Sequence, residues 1–66
     1  SYYEALGLVR TASKKDIVKA YRKKALTCHP DKVAPEFKDV AANLFKVITE
    51  AHDVLTDDAL RVDYDR

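Results

Sequence analysis

Apolar residues recur at helical spacing in two long stretches of this chain, Lys14–Cys28 and Phe37–Leu55. At about 100° per residue, Ile17, Ala20, Tyr21, Ala25 and Cys28 fall on one side of the first stretch, with Lys19, Arg22, Lys23 and Thr27 opposite. Lys24 lies within the apolar arc, where its stem can cover the core while its ammonium stays wet. Leu26 lies on the polar side, and the periodicity offers no reason for it. In the second stretch Phe37, Val40, Ala41, Leu44, Phe45, Val47, Ile48, Ala51, Val54 and Leu55 fill about half of the circumference. Lys38, Asp39, Lys46, Glu50 and Asp53 occupy the rest.

Shorter elements flank these two. Tyr3–Leu6 predicts a brief helix closed by Gly7, and Asp57–Asp65 predicts a last one capped by Thr56. Ser13 suits the N-cap of the second helix, with Asp16 three residues on in a capping box. No strand alternation or internal repeat interrupts the pattern. The fold class is therefore all-α: two long amphipathic helices pair antiparallel to bury their stripes, and the short terminal helices pack against the pair.

Between the long helices stands His29-Pro30-Asp31. Proline disfavours the α region in the residue before it, so the second helix stops at about Cys28. Pro30 suits the second position of a tight turn and Asp31 is a favoured neighbour. The result is a rigid tip presenting an imidazole and a carboxylate to solvent, a cheap place for recognition because little entropy is lost on binding.

Length and composition bound the picture. The chain has 66 residues, 47% hydrophobic and 35% charged, which fits one globular domain, residues 1–66, read as an excerpt of a longer protein. At that size only roughly 60% of the unfolded surface is buried, so stability should be modest. No apolar run reaches membrane-spanning length, so no membrane contact is expected of this domain. The single Cys forms no internal disulfide and is compatible with a reducing compartment such as cytoplasm or nucleus. The net charge of +1 conceals a gradient, +5 over residues 1–32 and −4 over residues 33–66, with six basic residues inside Lys14–Lys24.

Candidate chemistry is sparse. The chain offers no nucleophile, base and orienting group in one constellation, so an enzyme is not expected. Cys28 and His29 are consecutive and do not face each other at a helix end. Two histidines and one cysteine at positions 28, 29 and 52 match no zinc spacing, and His52 reads as a partly buried structural residue. The basic helix could dock nucleic acid, but no base-reading set stands on one face and the adjoining turn is acidic.

The tip in its setting resembles the signature of the J domain of DnaJ/Hsp40 co-chaperones. Tyr2-Tyr3-Glu4-Ala5-Leu6-Gly7-Leu8 opens the chain, Ala20-Tyr21-Arg22-Lys23-Lys24-Ala25-Leu26 precedes the tip and Lys32 follows it. Phe45, Ile48, Ala51, Val54 and Leu55 match the family's third helix, and Arg61, Tyr64 and Asp65 its closing helix. The chain departs from the usual pattern at Val18, Cys28 and His52, where a basic residue, an aromatic and a tyrosine are frequent.

The resemblance implies a module that binds the ATP-bound state of an Hsp70-family chaperone and stimulates its ATP hydrolysis. His29, Pro30 and Asp31 would make the activating contact, while Tyr21, Arg22, Lys23 and Lys32 steer and hold the complex. The domain, a monomer in isolation, would need no cofactor, since ATP and magnesium belong to the partner. Phe45, Ile48, Leu55, Tyr3 and Leu6 would be structural. Two other readings stay open: a small helical nucleic-acid-binding domain, and a J-like interaction module without Hsp70 activation.

Overall fold

In the computed structural model, which describes residues 1–66, four helices follow in order: α1 Tyr2–Leu6, α2 Lys14–Cys28, α3 Lys38–Leu55 and α4 Asp58–Asp65. Two 3₁₀ turns, Pro30–Lys32 and Pro35–Phe37, join α2 to α3, and there is no strand. Tyr21 meets Thr49 and His52 while His29 meets Phe45, so α2 and α3 run antiparallel as the stripes predict.

Local chemistry sets each boundary. The Ser1 side chain caps α1 by accepting from the Glu4 N–H. Gly7 closes it at φ +69°, a left-handed conformation that glycine adopts without a Cβ penalty. At the start of α2 the Ser13 hydroxyl accepts from the Asp16 N–H at 3.1 Å, and the Asp16 carboxylate accepts from the Ser13 N–H at 3.2 Å. That is the expected capping box.

Three boundaries differ from expectation, the first being α1, which starts at Tyr2 rather than Tyr3 because the Ser1 side chain caps it. Helix α3 starts at Lys38 rather than Phe37, because Phe37 closes the Pro35 turn by donating its N–H to Ala34 O at 2.9 Å. Helix α4 is capped by Asp57, not Thr56: the Asp57 carboxylate accepts from the Leu60 N–H at 3.0 Å. The Thr56 hydroxyl instead donates back to His52 O at 2.7 Å, which satisfies an end carbonyl of α3.

The core is a cluster of Tyr3, Leu6, Ala12, Ile17, Ile48, Ala51 and Leu55, with Tyr21, Ala25 and Cys28 packed at its margin. Ile17 and Leu55 are fully buried. Burying such a side chain contributes about 1.5–3 kcal/mol, so a domain this small leans on few residues.

Only part of the expected α3 stripe is buried. Phe37, Val40, Leu44 and Val47 are each about half exposed, and Phe45 is half-buried at the α2–α3 seam, outside the core cluster. The reason is length. Helix α1 has 5 residues and spans about 7.5 Å, against about 27 Å for the 18 residues of α3, so it is too short to cover the whole of α3, whose buried residues are Ala41, Ile48, Ala51 and Leu55.

Arg61 ties the ends together. Its guanidinium donates to Tyr3 Oη at 3.1 Å, Arg10 O at 3.0 Å and Ala12 O at 2.6 Å, and lies over the Tyr3 ring. Tyr3 in turn donates to Asp65 Oδ1 at 2.6 Å. Burial first, then that carboxylate, raise the Tyr3 phenol above its usual range, with Arg61 opposing. Tyr2 stacks on Tyr64 at 4.6 Å and donates its N–H to the Tyr64 hydroxyl oxygen at 2.8 Å. Lys14 and Asp58 join the starts of α2 and α4 at 2.9 Å.

Candidate functional site

Helix α2 stops where proline requires it to. His29 has φ −64° and ψ 131°, the extended backbone favoured before Pro30. Its carbonyl accepts from the Lys32 N–H at 2.9 Å, which closes a turn with Pro30 and Asp31 at the central positions. The Asp31 N–H donates to His29 Nδ1 at 3.2 Å. Nδ1 is thus an acceptor, and the proton of the neutral imidazole sits on Nε2. The Asp31 carboxylate oxygen lies 3.8 Å from the same nitrogen, too far for a hydrogen bond.

The two tip groups therefore differ in exposure. The Asp31 side chain is 84% exposed, as expected, and the His29 side chain 43%. One edge of the His29–Phe45 pair is closed: the rings meet T-shaped with centroids 5.2 Å apart. The imidazole is held against α3 rather than standing free in solvent.

Beside the tip is an open groove of about 420 Å³ lined by Tyr21, Arg22, Ala25, Leu26, His29, Lys32 and Phe45. Four of the residues singled out from the sequence thus share one surface: Tyr21, Arg22, His29 and Lys32. Lys23 lies elsewhere, in a shallow groove with Leu6, Gly7, Leu8, Ala20, Lys24 and Thr27 on the α1 side. Lys24 lays its stem there, with Cε 3.7 Å from where a Cβ on Gly7 would sit. Ala25, Leu26 and Phe45 give the groove its apolar lining. The signal for Leu26 was present in the sequence as an apolar residue on a polar face, and at 63% exposure it remains uncovered.

Arg22, Lys23 and Lys32 are exposed and make no intramolecular ion pair. Tyr21 is half-buried, and its hydroxyl shares a hydrogen bond with Thr49 Oγ1 at 3.1 Å. Val18 lines a separate basic groove with Lys15, Lys19 and Arg22. Chemically the surface offers a carboxylate, an imidazole N–H donor, unpaired cations and an apolar lining. Such groups can make charged, hydrogen-bonding and apolar contacts to another surface. No group of three His, Cys, Asp or Glu side chains is placed to hold a metal ion, and no helix is long and apolar enough to cross a membrane.

Comparison with known proteins identifies the family. The family model described as the DnaJ domain matches residues 1–65. Mouse (Mus musculus) DnaJ homolog subfamily B member 2 is 54% identical over 66 residues, covering 100% of this chain and 20% of that protein. Human (Homo sapiens) DnaJ homolog subfamily B member 8 is 52% identical over 66 residues, covering 100% of the chain and 28% of the relative. Bovine (Bos taurus) DnaJ homolog subfamily B member 6 is 55% identical over 65 residues, 98% of the chain and 26% of the relative. The chain thus spans between 20% and 28% of the length of these relatives. With the family match covering nearly every residue and the His-Pro-Asp turn in place at the end of a basic helix, this chain belongs to the DnaJ-domain family.

Proposed function

We propose that the domain is a co-chaperone module that recruits an Hsp70-family chaperone in its ATP-bound state and stimulates its ATP hydrolysis. The observation that carries this reading is the His29-Pro30-Asp31 turn, closed by the Lys32 N–H to His29 O bond at 2.9 Å and leaving the Asp31 carboxylate exposed. A pre-set turn loses little conformational freedom on binding, so its polar groups act with small entropic cost.

The roles divide by chemistry. Asp31 and the Nε2–H of His29 supply the activating polar contact, and Pro30 holds them in register. Arg22, Lys23 and Lys32 steer an acidic partner surface, and Tyr21 gives the groove beside the tip one wall. Leu26 and Phe45 supply an apolar lining for an uncharged segment of the partner. Hydrolysis itself takes place in the partner, whose conformational equilibrium the domain shifts through its preference for one state. The test is single-turnover ATP hydrolysis by an Hsp70 with and without the domain. Acceleration that saturates with domain concentration supports the proposal, and an unchanged rate at saturating domain contradicts it.

A further inference from the structure

Four rings form a column along the α2–α3 seam. His52 faces Tyr21 with centroids 4.5 Å apart and planes inclined at 34°, Tyr21 stands 6.5 Å from Phe45, and Phe45 meets His29 at 5.2 Å. The His52 side chain is only 26% exposed, so its ring lies within the seam. It lines none of the grooves beside the tip, and the proposed function leaves it without a role.

The polar bonds at the far end of the column are not equivalent. The Tyr21 hydroxyl lies on the axis about which the ring turns, so its 3.1 Å bond to Thr49 fixes where the ring points and leaves its rotation free. Nδ1 of His52 lies off the corresponding axis. Its bond to Asp53 Oδ1, 3.0 Å long with the imidazole donating to the carboxylate, locks the plane of His52. A locked ring 4.5 Å from the face of Tyr21 then limits that ring's rotation. Phe45 has no polar atom, so its orientation is set by its neighbours alone.

We infer that His52, held by Asp53, is a positioning residue: it sets the plane of Tyr21 and, through Phe45, the orientation of the His29 imidazole. The geometry stands on the distances above, while its consequence for activity rests on the proposed Hsp70 reading. The column gives the tip and the α2 face one mutual orientation before any partner arrives.

The test uses the domain alone and then the domain with an Hsp70. Aromatic NMR signals are recorded for the wild type, Asp53→Ala and His52→Ala. Asp53 is mostly exposed and alanine is a good helix former, so Asp53→Ala should keep its melting temperature. Both variants should speed Tyr21 ring flips about three- to tenfold, the effect of losing one stacking-sized restraint on the barrier, and should shift the His29 ring signals. Stimulation of the Hsp70 should fall by a similar factor. Unchanged Tyr21 flip rates and His29 signals in both variants would overturn the inference. If those signals move while the wild type fails to stimulate any Hsp70, the positioning role stands and the proposed function falls.

Discussion

His29 meets Phe45 edge to face, with the ring planes 79° apart and the centroids 5.2 Å apart. Through this contact the turn between α2 and α3 leans on the body of α3. Phe45 also lines the groove that α3 shares with Leu60 of α4, so one side chain borders both apolar surfaces. Its position at a seam, not in the core, changes what its removal should do.

Phe45→Ala should cost about 1.5–2.5 kcal/mol, near half the range for a fully buried phenylalanine. Ile17→Ala, at a side chain with no exposure, should cost about 2–5 kcal/mol and leave little folded domain at 37 °C. Denaturant melts of the two variants check the contrast. A larger loss for Phe45→Ala than for Ile17→Ala would place Phe45 in the core after all.

Alkaline pH should weaken the α1–α4 clamp. The Tyr3 phenol is raised above its usual range, chiefly by burial and next by Asp65, so the unfolded chain gives up that proton first. The unfolded state then binds fewer protons than the fold, and stability falls as pH rises. The contribution is complete below about pH 10 and is lost as pH passes through the raised folded value. The stability gap between the wild type and Tyr3→Phe, measured by urea melts from neutral pH upward, should therefore narrow above about pH 10. A gap that stays constant through that window would contradict the clamp.

Much of this was legible from residue spacing because the deciding forces are local. Ser13 with Asp16, and Pro30 after His29, bound α2 at the residues expected, since capping and the pre-proline restriction act within one turn. The cap of α4 is Asp57 rather than Thr56 because its carboxylate reaches the Leu60 N–H, while the Thr56 hydroxyl turns back to His52 O, a choice between adjacent cap-forming residues that spacing does not decide. The buried face of α3 is narrower than its apolar stripe for a different reason. Val40, Leu44 and Val47 share the helical stripe with Ile48 and Leu55, but burial depends on how far α1 reaches, a tertiary fact that periodicity does not carry. The groove at the tip was half visible: Tyr21, Arg22, His29 and Lys32 were singled out from the sequence, and Leu26 stood there as an exception without an explanation.

Reversing charge at Arg22 and Lys23 should slow association with an Hsp70 more than it speeds dissociation, because exposed charges steer encounter. Neither side chain has an intramolecular ion pair to lose, so the fold should not notice. Raising salt should slow the wild type, since such charges are screened beyond about 8 Å at physiological ionic strength. The double reversal should flatten that dependence. Stopped-flow association at several salt concentrations reads both effects. Salt-insensitive association by the wild type would remove α2 as the docking face, and a steep salt slope with nucleic acid in place of the chaperone would favour a different partner class.

The central claim is that the His29-Pro30-Asp31 turn is an activating contact and not a structural joint. Asp31→Asn tests it most directly, because the carboxylate is 84% exposed and its one close polar neighbour, His29 Nδ1 at 3.8 Å, lies beyond hydrogen-bond distance, so its loss removes little from the fold. The measurement is single-turnover ATP hydrolysis by an Hsp70 at saturating domain, read beside the thermal melt of the variant. The account predicts an unchanged melt and a hydrolysis rate that falls to that of the chaperone alone. Hydrolysis at the wild-type rate with Asp31→Asn, in a domain that melts normally, would contradict it.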